Sequence, residues 1–201
     1  MRLHISSDLK SKFMADTCLK MPTLDELLLP LRDAREITKT EVQGFLRDLR
    51  SSTACFAEAA EFSDVHPYGR RLLLQTPAVE ILVMGFHAHR ECPPHDHGGS
   101  DGLVLVCGGT AEHSIYRRKQ SNLTLVERTL EPVGSILDAP VDCVHAMGNP
   151  GPEPLVTLHV YWPPIEHMTV FDIESRKIYE VNGKAGAWLP VDPATLIETH
   201  E

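Results

Sequence analysis

The stretch PPHDHGGSDGLVLVCGG, running from Pro93 to Gly109, decides how the rest of the chain is read. His95 and His97 stand two apart, so on an extended strand both imidazoles leave the same face and can meet one ion. Neutral imidazole is the commonest protein ligand for divalent iron, zinc, copper or nickel, which makes a metal the first hypothesis. Leu103 to Cys107 follows as a short apolar run closed by Gly108 and Gly109, the pattern of a buried strand ending in a turn. Taken alone, the same H-x-H also describes two solvated loop histidines, so the remainder of the chain has to decide.

Composition narrows the field. The chain has 201 residues, 42% of them hydrophobic, with 15 prolines and 13 glycines, which suits one loop-rich domain with a full core, alone or with an appendage. No apolar run approaches the ~18 residues that span a bilayer, and no hydrophobic signal core follows Arg2, Asp8, Lys10 and Lys12. A cytoplasmic location is expected. A formal net charge of -9 disfavours nucleic acid or an anionic membrane as partner, because counterion release needs clustered Lys and Arg. The expected partners are small molecules, and the expected state is a monomer or weak homo-oligomer. Cys18, Cys55, Cys92, Cys107 and Cys143 are odd in number and lack C-x-x-C spacing, so reduced thiols are expected. The 11 histidines strengthen the case for a metal.

Two regions are expected, a helical one over 1–63 packed on a β-barrel over 64–201 that carries the site. Thr23 with Glu26 and Thr38 with Glu41 have capping-box spacing. Leu24, Leu27, Leu28 and Leu31 then recur at helical intervals, with Pro30 expected to kink or end that helix. A further helix from Glu41 to Ala60 places Val42, Phe45, Leu46 and Leu49 on one face. From Tyr68 the period becomes two: Tyr68, Arg70, Leu72 and Leu74 on one face, Gly69, Arg71, Leu73 and Gln75 on the other. An arginine in line with leucines points inward, where it needs an anionic partner. Val79 to Phe86 reads as a second strand, followed by a loop with another metal-like pair, His87 and His89, that has no strand signal behind it. Beyond Gly109, short strands are expected at Ala111–Arg117, Leu123–Leu130, Ser135–Leu137, Leu155–Tyr161, Met168–Ile173 and Lys177–Val181. Their spacing indicates an antiparallel sandwich or barrel. The tail from Gly183 to Glu201 reads as irregular, with a short turn near Thr195.

Gly109 lies eleven residues beyond Gly98, and Gly134, Pro140, His145 and Asn149 follow in order. Together with the H-x-H these resemble the paired motifs of the cupin superfamily. The resemblance implies an all-β core, a double-stranded β-helix or jelly-roll barrel, with His145 as the third metal ligand. The glutamate that usually follows the H-x-H is missing: Gly102 stands in its place and Asp101 is one residue off. Three neutral histidines leave the double charge of Fe(II) uncompensated and about three coordination positions open.

More narrowly, the chain resembles the type I cysteine dioxygenases in His-Asp-His followed by Ser100, in Gly109-Thr110, in His145 with Asn149-Pro150, and in the segment from Thr157 to Pro164. The likeness covers Tyr68 to Pro164, about half of the chain. It implies Fe(II) on His95, His97 and His145, and Tyr161 as an active-site phenol oriented by His159, with Thr157 where the family often has serine. It implies Arg70 as the clamp on a substrate carboxylate, with Tyr68 beside it. Strand parity supports this independently, since Thr157, His159 and Tyr161 share one face and must pair internally or face a polar pocket. Two departures stand out. Animal members cross-link a cysteine to the tyrosine, and Gly102 has no sulfur to offer; Trp162 replaces a serine before the proline pair, where the family can have a cis X-Pro bond. The implied activity is oxidation of L-cysteine by O2 to cysteine sulfinate. The alternatives are dioxygenation of another mercapto-acid, such as 3-mercaptopropionate or mercaptosuccinate, and a non-catalytic metal-binding cupin.

Overall fold

The computed structural model describes residues 22–200, so the helical reading over Met1 to Met21 lies outside the described residues. Helix α1 spans Leu24–Arg32 and α2 spans Lys39–Asp48, each opened by the expected capping box. At Thr38 the hydroxyl accepts from Glu41 N at 3.3 Å while the Glu41 carboxylate accepts from Thr38 N at 2.8 Å, which satisfies two orphan donors reciprocally. Pro30 sits inside α1, which ends at Arg32. The second helix is not continuous to Ala60: a 3-10 turn at Leu49–Ser52 separates α2 from α3, Thr53–Ala59. The break spans Leu49–Ser52, ending in two serines, a residue of lower helix propensity than the Leu49 and Arg50 before them.

The strands are β1 Gly69–Gln75, β2 Glu80–Phe86, β3 Asp101–Gly108, β4 Thr110–Lys119, β5 Asn122–Pro132, β6 Ile136–Ala139, β7 Val144–Gly148, β8 Leu155–Trp162, β9 His167–Asp172, β10 Lys177–Asn182 and β11 Leu196–His200. A five-stranded sheet runs β1-β2-β8-β3-β6. Both of its faces are apolar, and the period of two divides them. Ile81, Val83, Leu103, Leu105, Leu158 and Val160 pack with Leu28, Val42, Leu46 and Phe56 of the helices. Leu82, Met84, Val104, Val106, Leu155 and Tyr161 face the barrel interior. The helices are therefore the cover that an apolar outer face requires. In β1 a bulge between Leu72 and Leu74 resets the parity. Arg70 and Leu72 pair with Met84 and Leu82 on the interior side, whereas Leu74 joins the helix-facing cluster instead of sharing the Arg70 face.

The opposite wall consists of two three-stranded sheets, β5-β4-β7 and β11-β10-β9. They are joined by the H-x-H segment itself. His95 pairs antiparallel with His145 on one side and with Val170 on the other. Four hydrogen bonds close this seam: His95 N to His145 O, His145 N to His95 O, Asp96 N to Thr169 O and Phe171 N to Pro94 O, at 2.8 to 3.0 Å. The result is the all-β double-stranded β-helix core with N-terminal helices expected from the sequence. Two strands were not foreseen. β7 is a short run buried at every position, so it shows no alternation, and β11 is an exposed edge strand in the tail read as irregular. No helix among the described residues is long and apolar enough to cross a membrane.

Candidate metal centre and adjoining pocket

Pairing in the seam brings His95 and His97 against His145 on β7. All three rings are buried, and one ring nitrogen of each lies within 4.8 Å of the others. Nε2 of His145 is 3.2 Å from Nε2 of His97. Two nitrogens ~2.0–2.1 Å from one ion and subtending about 100° at it lie ~3.1–3.2 Å apart, so this pair already has the spacing of two metal ligands. Burial lowers the pKa of all three rings, and their mutual proximity lowers those of His97 and His145 further, so they are neutral and offer lone pairs. Nδ1 of His97 is buried without a partner among the described residues, so the ring is held by packing alone. The residues fit a divalent metal ion. A second grouping, Glu180, Glu198 and His200, is acidic and largely exposed at the β10–β11 edge.

Two of the three rings are held from behind. Nδ1 of His95 lies 3.0 Å from Pro93 O, and since a carbonyl only accepts, this nitrogen carries the proton and leaves Nε2 bare. Nδ1 of His145 lies 2.9 Å from Nε2 of His113, a buried β4 residue that the sequence reading passed over. The available signal was a histidine two residues after Ala111 on a predicted strand, hence on an inward face. Burial lowers the His113 pKa, opposed by the carboxylates of Glu131 and Glu127. Asp101 is no stand-in for the missing glutamate, because its Oδ1 accepts from Val141 N at 3.1 Å. Cys92, behind His95, has its thiol pushed up to about 12 by burial and is an inert neighbour.

The polar face of β8 forms one chain of hydrogen bonds. Thr157 Oγ1 is 2.8 Å from His159 Nε2, and His159 Nδ1 is 2.9 Å from the Tyr161 hydroxyl. Burial brings the His159 pKa down to about 3, helped by the nearby His95 ring and the Arg70 cation, and pushes that of Tyr161 well up. The imidazole is neutral and the phenol protonated. The Tyr161 ring lies 4.6 Å from the His97 ring, centroid to centroid. Gly102 faces Tyr161 across the β3–β8 pairing, and a Cβ there would stand 2.9 Å from two ring carbons. Gly102→Ala is therefore expected to displace the phenol and destabilise the protein by about 1–3 kcal/mol. Urea unfolding checks this, and intact-mass analysis of the wild type is expected to show no tyrosine–cysteine thioether.

A small cavity of about 10 Å³, lined by Tyr68, Arg70, His95, His97, Tyr161 and Met168 among others, lies beside the three histidines. That is room for about one water. Arg70 reaches it, but its guanidinium is engaged, donating to Glu80 at 3.0 Å, Gly183 O at 3.1 Å and Lys184 O at 3.2 Å. The anionic partner expected for this inward arginine is thus Glu80, whose side chain is 4% exposed against 16% for Arg70. Burial pushes the Glu80 carboxyl up, while Arg70 and the Ile165 N–H pull against it. The Tyr68 hydroxyl accepts from Ala187 N at 2.8 Å. Residues 183–187 therefore form a strap across the pocket, held by the two side chains that the sequence pointed to for substrate. Gly183 allows its close seat, since a Cβ there would stand 1.7 Å from Ile165 O. Arg71 points to the opposite face and donates to Ala59 O at 3.1 Å.

The His87–His89 pair stands apart from this centre: His87 is half exposed and 3.4 Å from Asp64 Oδ1, and His89 lies in a turn at φ 57°. The Trp162–Pro163 bond is cis.

No protein-family profile matches the chain. Among solved structures it is similar to an uncharacterized protein with a double-stranded β-helix domain from Klebsiella pneumoniae, at 23% identity over 58% of this chain and 94% of that one, TM-score 0.46. KdgF from a Halomonas species is 20% identical over 53% of this chain and 88% of its own, TM-score 0.44. The cupin domain of Schizosaccharomyces pombe Cnp3 is 12% identical over 50% and 64%, TM-score 0.43.

Proposed function

We propose that the chain is an Fe(II)-dependent thiol dioxygenase that converts L-cysteine and O2 to cysteine sulfinate. The observation that carries this reading is the Thr157–His159–Tyr161 chain ending beside a neutral three-histidine face. A protein that only stores or senses a metal has no use for a buried phenol ordered in this way. Fe(II), when bound, supplies the redox chemistry that lets O2 react with a thiolate. The residues do the rest. With Thr157 donating to His159 Nε2, and His159 Nδ1–H donating to the phenolic oxygen, the Tyr161 O–H is left to donate into the pocket. Arg70 holds the substrate carboxylate through charge-assisted hydrogen bonds, and the Tyr68 hydroxyl borders the same space. Because the cavity holds about one water, substrate enters only when the strap gives up its bonds to Arg70 and Tyr68.

Other mercapto-acids form the second reading, favoured by Arg70 itself: 3-mercaptopropionate and mercaptosuccinate offer its guanidinium the same carboxylate, so that contact does not separate them from L-cysteine. An oxygen electrode with iron-loaded protein and L-cysteine, 3-mercaptopropionate, mercaptosuccinate and cysteamine tests both. The expected result is cysteine-dependent O2 uptake with a sulfinate product and little uptake with cysteamine, which lacks the carboxylate. Faster turnover of 3-mercaptopropionate or mercaptosuccinate moves the assignment to that substrate, and no thiol-dependent uptake overturns it.

A further inference from the structure

We propose that His113 is a positioning residue of the metal centre, fixing His145 in the tautomer whose Nε2 lone pair faces the ion. The inference rests on the three-histidine metal site and is independent of whether thiols are oxidised there.

A neutral imidazole has one N–H and one lone pair, so the 2.9 Å contact between His145 Nδ1 and His113 Nε2 can be made in two ways. If His145 donates, its Nε2 is bare and stands 3.2 Å from His97 Nε2, ready to ligate. If His113 donates, the His145 proton sits on Nε2, in the place the ion must take. A metal on the three histidines chooses the first, and His113 is the residue placed to accept. On the paired strand it faces Thr129, with Glu127 and Glu131 two residues to either side on the same face of β5. Only with His145 Nδ1–H as donor is the His145 Nε2 bare beside His97 Nε2, as ligation requires. His113 Nε2 is then the acceptor, and His145 the donor.

The three ligands are supported unequally, which is why this contact matters. His95 is set by the Pro93 carbonyl, and His97 has no partner at Nδ1. Among the described residues, His113 alone holds the third ring at Nδ1. A metal-bound histidine commonly donates its second N–H to a carboxylate, a carbonyl or water; here another imidazole takes that part.

The test uses Co(II) as probe, titrated into full-length wild type, His113→Gln and His113→Phe and followed by visible absorption, with tautomers of the metal-free wild type read by 15N NMR. Glutamine places a carbonyl oxygen near the lost Nε2 and keeps an acceptor, whereas phenylalanine keeps the ring and removes it. Expected are a 10–100-fold weaker affinity for His113→Phe, a value within about threefold of wild type for His113→Gln, and His145 protonated at Nδ1. A purely packing role predicts the reverse order, because Phe fills the space better. Wild-type affinity in His113→Phe, or an Nε2-protonated His145, overturns the proposal, and the NMR result stands even if His113→Phe fails to fold. Absence of Co(II) binding in the wild type overturns the metal centre with it. Tight binding without thiol oxidation counts only against the proposed function.

Discussion

His145→Ala is expected to abolish metal retention and, with it, all thiol-dependent O2 uptake. Metal sites built from side chains draw roughly 3 kcal/mol or more from each ligand, so losing one of three weakens binding by about a hundredfold or beyond. Metal content after gel filtration measures it. The side chain being removed is buried, held at Nδ1 by His113 and located on a strand, so no neighbour swings in to replace it. His87→Ala and His89→Ala are expected to leave the content unchanged, since neither reaches the centre. Full metal content in His145→Ala sinks the site assignment.

The second large effect is at Arg70. Arg70→Gln leaves the Glu80 carboxylate buried without its cation, and breaking such a pair costs on the order of 3–5 kcal/mol. Urea unfolding reads this directly. The same change is expected to lower kcat/KM for L-cysteine more than tenfold, through loss of the carboxylate clamp, while harming 3-mercaptopropionate less. Replacing both partners by apolar residues, Arg70→Met with Glu80→Leu, separates the two losses: stability is expected to return and cysteine turnover is not. Arg71→Gln, on the other face of β1 and half exposed, is expected to change stability by less than about 1 kcal/mol and turnover not at all. Wild-type cysteine turnover in Arg70→Gln would remove Arg70 from the substrate site.

The residues of the centre were legible because their chemistry is tied to spacing. Two histidines with a period of two on an extended segment share a face whatever the loops around them do, and Thr157, His159 and Tyr161 declare themselves by interrupting an apolar strand at every second position. What escaped lay in contacts across strands. His113 meets His145 from an adjacent strand, 32 residues away along the chain, and no local pattern links the two. Glu80 was legible only as the need of Arg70 for an anion, because the two are not cross-strand partners, Arg70 pairing with Met84 and Glu80 with Gln75, and meet only through the length of their side chains. β7 went unseen since burial of all five residues removes the alternation by which half-buried strands are read. The strap was hidden for a related reason: its hold on Arg70 and Tyr68 comes through its backbone, two carbonyls and one N–H, which side-chain identity does not announce.

The H-x-H segment does two jobs with the same residues. Its backbone is the thread that sews β7 to β9, and its side chains are two of the three histidines that could hold a metal. An ion seated there would work as a rivet through that stitching, tying the thread to β7 by side chain as well as by main chain. A cofactor held in a surface loop can come and go without the scaffold registering it. Here an ion would brace a wall that main-chain hydrogen bonds already close, so that removing it is expected to loosen the barrel as well as to silence its chemistry.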